Sequence, residues 1–323
     1  MALTYTELDS ITNDYFLADG KKAIDIFFND CFIMDRFMKN KKGIWERPDG
    51  GDYIRVPLSY DGQEAEFYTR GEALSSDDRE SINAARFNWK HAYGNATIYR
   101  PDELKNAGEY AQVQMVATKV EQAQKSVRKK IAQGIYAANS DTDKSITGLR
   151  SCVFGAATVA YGNIIENDLV AADLTKPWSG TDTTAAAAIS LAVLRTLKSS
   201  AKIGDGPGGK PDCATTTETL FNIISGILQN QQRFTEDKDT AKAGFTNLVF
   251  EGMIIASDDY VPSGFLFAIN SKHYGWAIHS QGYFAREPWG KIPDVAGKTM
   301  KIYWDGNQVV NNRKAHAGQS SLT

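Results

Sequence analysis

The run Gly204-Asp205-Gly206-Pro207-Gly208-Gly209-Lys210 is the stretch of this chain that comes nearest to a chemical motif. It fits the first seven positions of the phosphate-cradling pattern GxxxxGK, in which backbone N–H groups wrap a phosphate and the lysine reaches its outer oxygens. The next position calls for a Ser or Thr hydroxyl to hold magnesium. It carries Pro211, which has no N–H to donate. The run also follows a helical pattern where the motif follows a strand, so it reads as a loop. Asp258 and Asp259 are a tempting carboxylate pair, but neighbouring strand residues point to opposite faces. A strand-end turn is the simpler reading. His273 and His279 lie six apart, and no pair of cysteines has metal-ligand spacing. His91 sits on an aromatic strand face, as a packed or interface histidine would. There is no GxSxG nucleophile turn and no HExxH zinc helix. The chain is expected not to be an enzyme and to need no cofactor or metal.

Charge is more informative than catalysis. Between Asp61 and Glu80 there are seven acidic residues, Asp61, Glu64, Glu66, Glu72, Asp77, Asp78 and Glu80, against Arg70 and Arg79. Lys125, Arg128, Lys129 and Lys130 form the densest basic cluster. That cluster is read either as a solvated helix end or as a contact for an acidic segment of another subunit. No base-reading motif is present, so contact with nucleic acid would be non-specific. The net charge of −3 over 323 residues supplies no general attraction to it.

These residues need elements to hold them. An aromatic-rich strand over Arg86–Arg100 puts Phe87, Trp89, His91 and Tyr93 on one face and leads through Pro101-Asp102 into a helix. The helix runs over Asp102–Ala138, roughly 37 residues and about 55 Å. Its apolar stripe is Leu104, Tyr110, Val113, Val116, Val120, Ala123, Val127, Ile131 and Ile135, in steps of three and four. Tyr53–Tyr60 alternates, with Ile54, Val56 and Leu58 on one side. With the return strand it forms a long two-stranded projection with the acidic segment at its end. An isolated pair of that kind is marginal in water and must rest on something. Ahead of it, residues 4–40 are dense in aromatics, including Phe27, Phe28, Phe32 and Phe37.

Beyond the helix the pattern is mixed α/β. Helices are expected over Thr183–Ser199 and Thr217–Gln229. Strands are expected over Asp212–Thr216, Asn247–Phe250, Met253–Ala256, Phe265–Asn270 and Tyr274–His279. Lys298–Trp304 and Gln308–Asn311 flank Asp305-Gly306, a hairpin-turn signal. Cys31, Cys152 and Cys213 are odd in number and uneven in spacing, which suggests free thiols. No apolar run reaches the length of a membrane span.

The order of several short motifs resembles the major capsid proteins of tailed bacteriophages with the Hong Kong 97-type fold. Phe87–Ile98 (FNWKHAYGNATI) followed by Pro101–Ala107 (PDELKNA) is similar to that family's junction of strand and spine helix. Asn230–Phe234 (NQQRF), Gly244–Gly252 (GFTNLVFEG), Ile255–Asp259 (IASDD) and Pro262–Asn270 (PSGFLFAIN) resemble its axial-domain segment. Trp304–Lys314 (WDGNQVVNNRK) resembles its closing strands.

The resemblance implies an α+β fold in five parts. Residues 1–50 would be an N-terminal arm reaching neighbouring subunits, anchored by Phe27, Phe28, Phe32 and Phe37. Residues 51–100 would be the extended E-loop. Residues 101–145 would be a peripheral domain with the spine helix, residues 146–284 the axial domain, and residues 285–323 the strands returning to the peripheral domain. The implied function is a head protein that self-assembles, through hexamers and pentamers, into an icosahedral shell around double-stranded DNA. Its partners would be many copies of itself, a separate scaffolding protein, a portal and in some heads a decoration protein. It would assemble in the host cytoplasm and reside in the virion, with no membrane contact. The chain starts at the arm, with no charged helical extension before it, so the scaffold would be a separate protein, which is the expected case, or absent, or removed before this numbering starts. The rivals are an encapsulin-like cargo shell of the same fold and a soluble α/β enzyme.

Overall fold

A computed structural model describes residue 6 and residues 31–59, 65–72, 82–105, 109–156, 158–169, 178–183, 188–203, 208–229 and 247–322, side chains of 109–114 and 247 excepted. In chain order, a π-helical turn Met34–Lys39 leads to β1 (Ile44–Glu46), β2 (Tyr53–Ser59), β3 (Ile82–Asn88) and β4 (Lys90–Tyr99). Helices α1 (Arg100–Lys105), α2 (Glu109–Ile135) and α3 (Leu149–Phe154) follow, then β5 (Thr181–Thr183), α4 (Leu191–Ser200), β6 (Cys213–Thr216) and α5 (Glu218–Gln229). The remaining strands are β7 (Asn247–Phe250), β8 (Met253–Ser257), β9 (Leu266–Ile269), β10 (Tyr274–Ile278), β11 (Ala285–Arg286), β12 (Gly290–Lys291), β13 (Gly297–Val310) and β14 (Ala317–Gln319).

Two six-stranded sheets organise these elements. The first is built on β13, which pairs along one edge with β4 and along the other with β10, β11 and β12, while β1 extends β10 in parallel. The second has the order β5-β14-β9-β6-β8-β7. β2 and β3 form a separate antiparallel pair from Tyr53↔Asn88 to Ser59↔Ile82.

The expected turn at Asp305-Gly306 is corrected: β13 runs straight through it as one strand of 14 residues. Both residues are held in ladders, Asp305 opposite His91 and Gly306 opposite Lys90 and Ile278. Pairing on both edges outweighs the local turn preference. Gly306 is also tightly placed, since a Cβ there would lie 2.8 Å from the Ala277 carbonyl oxygen.

The single return strand over Arg86–Arg100 is also corrected. It divides at Trp89 into β3, which pairs with β2, and β4, which pairs with β13. The inward parity flips there. Ala85 and Phe87 are buried before the break, and Lys90, Ala96 and Ile98 after it, which leaves His91 and Tyr93 exposed. Polar ties fix the break. The Trp89 indole donates to the Gly51 carbonyl at 2.8 Å, Asn88 Nδ2 donates to the Asp141 carbonyl at 3.0 Å, and Lys90 Nζ donates to the same carbonyl at 2.7 Å. Burial pushes the Lys90 ammonium down from its usual value.

The long helix is shorter than expected. α2 has 27 described residues, about 40 Å, and ends at Ile135 rather than Ala138; residues 106–108, between α1 and α2, lie outside the described residues. Val116, Val120, Ala123, Val127, Ile131 and Ile135 are buried as the stripe requires. Tyr110 and Val113 lie outside the described side chains. Leu104 is exposed, because α1 turns Glu103 inward to an ion pair with Lys298 at 3.1 Å. Against the first sheet, α2 comes so close to β4 that a Cβ on Gly94 would fall 2.6 Å from Val127 Cγ2 and 2.7 Å from the Ala123 carbonyl oxygen.

In the second sheet, the expected helix over Thr183–Ser199 begins only at Leu191. Ser190 is its N-cap, accepting from the Val193 N–H at 3.4 Å. α5, β6, β7, β8 and β9 lie close to their expected positions, while β5 and β14 were not expected. The core of this part gathers Leu194, Leu197, Leu220, Ile224, Met253, Ile255 and Leu266.

Candidate inter-subunit surfaces

The β2–β3 pair buries one face and exposes the other. Ile54, Val56 and Leu58, with Ala85 and Phe87, join the main core, and the Phe87 ring meets Tyr161 edge-on at 5.5 Å. The root of the arm therefore rests on its own subunit. Of the acidic segment, Asp61, Glu64, Asp77, Asp78 and Glu80 lie outside the described residues. Glu66 is exposed. The Glu72 carboxylate accepts from the Thr69 N–H at 2.8 Å and from its hydroxyl at 3.0 Å. Those bonds hold it below the usual carboxylate range. Glu72 thus closes a local turn.

The sequence reading missed the two aromatics beside that turn. Phe67 is 106% exposed and Tyr68 69%. A charge count over this segment passes over them; exposed aromatic side chains of this size are the kind that anchor interfaces.

The basic cluster of α2 is divided by its helical phase. Arg128 is buried beneath its own subunit at 3% exposure, so it is withdrawn from the candidate contact surface. Lys125 pairs with Glu121 at 2.6 Å, one turn back. Lys129 and Lys130 are exposed and, with Lys119, line a groove of about 720 Å³ between α2 and β4. Tyr93, Asn95, Thr97 and Tyr99 form its strand side, and among the described residues no carboxylate lines it. Among the described residues no strand pairs with the outer edge of β4. The groove is thus cationic, with an open row of backbone donors and acceptors.

Two of the four proposed arm anchors are corrected. Phe32 and Phe37 are each 1% exposed in the main core of their own subunit, and Phe37 meets Tyr274 edge-on at 4.7 Å. Phe27 and Phe28 lie outside the described residues.

Groups that might carry chemistry are otherwise engaged. His91 Nδ1 and Asp305 Oδ1 are 2.6 Å apart at the surface. His273 Nδ1 faces Asn311 Oδ1 at 2.7 Å, and His279 Nδ1 accepts from the Gln281 N–H. Asp258 is buried while Asp259 is exposed, so they form no dyad. Of the glycine-rich run, residues 204–207 lie outside the described residues. The Gly208 carbonyl accepts from Asn270 Nδ2 at 2.8 Å. The three cysteines are free and buried. Among the described residues no metal-ligating cluster occurs, and no helix is long and apolar enough to cross a membrane.

Neither a protein-family profile nor a curated protein sequence matches this chain. Solved structures do. The capsid subunit of cyanophage A-1(L) superposes over 88% of this chain and 92% of its own, with a TM-score of 0.64 at 15% identity. This chain has the Hong Kong 97-type capsid fold. The same fold relates it to the capsid of a native GTA particle (TM-score 0.57, 10% identity, 88% of this chain and 89% of that one). It also relates it to the SrpI encapsulin of Synechococcus elongatus PCC 7942 (TM-score 0.55, 10% identity, 88% and 87%).

Proposed function

We propose that this chain is the major capsid protein of a tailed phage, a shell subunit with no catalytic turnover. The observation that carries this reading is the superposition on a phage capsid subunit over nearly the full length of both chains. An exposed arm tip and an open cationic groove on the same molecule support it, because shells need complementary surfaces on every copy. The proposed domain layout is arm 1–50, E-loop beginning at 51, peripheral domain around α2, axial domain 146–284, and returning strands 285–323. The E-loop is taken to end at Asn88, because β4 pairs within the first sheet. Residues 1–30, with Phe27 and Phe28, reach a neighbouring copy. The E-loop tip seats beside the groove of another copy, with Phe67 and Tyr68 as its apolar contacts and Lys119, Lys129 and Lys130 facing its carboxylates. Scaffolding and portal proteins are the other partners, and contact with packaged DNA is non-specific.

Electron microscopy of the expressed chain, alone and together with the products of its neighbouring genes, tests this. Closed shells are expected. Monomers under every condition, including with a scaffold supplied, would overturn it. Shells that form alone and enclose a co-purifying enzyme would favour an encapsulin instead.

A further inference from the structure

The groove between α2 and β4 has two unlike ends. α2 runs antiparallel to β4: a Cβ on Gly94 would meet Val127, and the Ile135 carbonyl accepts from Gln308 Nε2, two residues past Gly306, the ladder partner of Lys90. Lys129 and Lys130 therefore stand at the Tyr93 end of the groove and Lys119 at the Tyr99 end. Tyr93 is 68% exposed against 48% for Tyr99. The Tyr93 end thus offers the more open ring on its strand wall and two ammonium groups on its helix wall. The carboxylates beside that ring are engaged. Asp305 meets His91 at 2.6 Å, and Glu287 accepts at 2.8 Å from the hydroxyl of Tyr303, the ladder partner of Tyr93.

The tip of the arm carries the counterparts on consecutive residues. Glu66 and Phe67 are both exposed and precede the turn that Glu72 closes on Thr69. Because Glu72 is held by Thr69, Glu66 is the carboxylate of residues 65–72 that has no partner among the described residues. Along an extended passage, adjacent side chains point to opposite sides. A chain entering the groove therefore turns residue 66 to one wall and residue 67 to the other.

We propose that Glu66 and Phe67 of one copy dock as a unit at the Tyr93 end of another copy's groove, with the Phe67 ring against Tyr93 and the Glu66 carboxylate facing Lys129 and Lys130. This assigns the contact within the seating of the arm tip proposed above and rests on that reading. The ring pair supplies the strength, and the ion pairs at a wet rim chiefly set the register. Tyr68 shares the side of Glu66 and lies toward the helix wall.

Three measurements on assembled shells test it. A photo-reactive phenylalanine at position 67, in shells assembled from ordinary and isotope-labelled chains, should give adducts between copies on the peptide that bears Tyr93. On oxidation with copper phenanthroline, Glu66→Cys should form a disulfide between copies with Lys129→Cys or Lys130→Cys and none with Lys119→Cys. Phe67→Ala and Tyr93→Ala should each raise the critical concentration for assembly about two- to tenfold, and the double variant should raise it no further than the larger single change. Both rings are exposed, so the urea midpoints of these variants should match wild type. Adducts at Tyr99, within one chain or elsewhere, a disulfide to Lys119→Cys in preference to the other two, or single effects that multiply in the double variant would overturn this contact while leaving the shell reading intact. Failure of the wild-type chain to form shells under any condition would overturn both.

Discussion

Two buried basic residues near the C-terminus show how single side chains hold this fold. Arg313 is fully buried. Its guanidinium donates to the carbonyls of Ser151, Cys152 and Trp178 at 3.3, 2.9 and 3.0 Å and lies over the Tyr161 ring at 4.9 Å. Ser151 and Cys152 stand near the C-terminus of α3, where carbonyls lack helical partners and a cation is favoured. Lysine keeps the charge but loses the planar fork. Arg313→Lys is expected to cost about 2–4 kcal/mol, as a shift in urea midpoint. His316 is the second. Burial pushes its imidazole down from 6.5 to about 3. Its Nδ1 accepts from the Asn270 N–H at 3.3 Å, which requires the neutral ring. The folded value lies below the unfolded one, so this contribution is complete above pH 6.5 and drains away as pH falls toward 3. The loss is about 2 kcal/mol between pH 6.5 and 4.5. Buried Asp258 and Asp141, both raised by desolvation, act with the opposite sign. Denaturation at pH 6.5, 5.5 and 4.5 should show a shallower acid slope in His316→Gln than in wild type.

At the scale of elements, the contact of α2 with β4 is the one most exposed to a small change. Gly94 leaves no room for a methyl group, because the helix backbone at Ala123 and the Val127 side chain occupy that space. Gly94→Ala should push the helix off the sheet and cost about 1–3 kcal/mol, measured by thermal or urea unfolding. The same displacement would reshape the groove that α2 and β4 enclose, so assembly should suffer along with stability. The arm behaves differently, since its root is packed and its tip is exposed. Substituting Phe67 and Tyr68 together by Ser changes two side chains that largely face solvent. It should leave monomer stability within about 0.5 kcal/mol and impair assembly, as read by light scattering.

For the whole molecule, charge should act mainly on the rate and register of association. Exposed pairs are worth only about 0–1 kcal/mol each, so no single charge should be indispensable. Changing Glu64, Glu66, Asp77 and Asp78 together to Lys should slow assembly at low salt, and the difference should shrink as screening shortens to about 8–10 Å. An unchanged rate at low salt would mean that backbone and apolar contacts alone seat the arm. Since many weak contacts recur around a closed shell, a modest change per copy is amplified in the particle.

Much of this was legible in the chain. Periodicity located the buried stripe of α2 from Val116 to Ile135, the inward face of β2, helix α5 and strands β6, β7, β8 and β9 of the second sheet, because their packing faces repeat with the geometry of the element. Motif order pointed to the Hong Kong 97-type fold. Other features were set by distant partners that no local pattern encodes. Asp305-Gly306 continues a strand because β4 and β10 hold it on both edges. The pleat reverses at Trp89 because the chain there leaves one sheet for another. Phe32 and Phe37 close their own core, and Arg128 is buried, because tertiary packing fixes which helical face turns inward. Asp258 reads as an ordinary turn residue in the sequence. Only the fold brings Cys31, Phe32 and Tyr136 to its carboxylate, since 227 positions separate Cys31 from it. Local preferences fix elements and their faces; contacts across such separations decide which strand ends meet and which charged groups leave water.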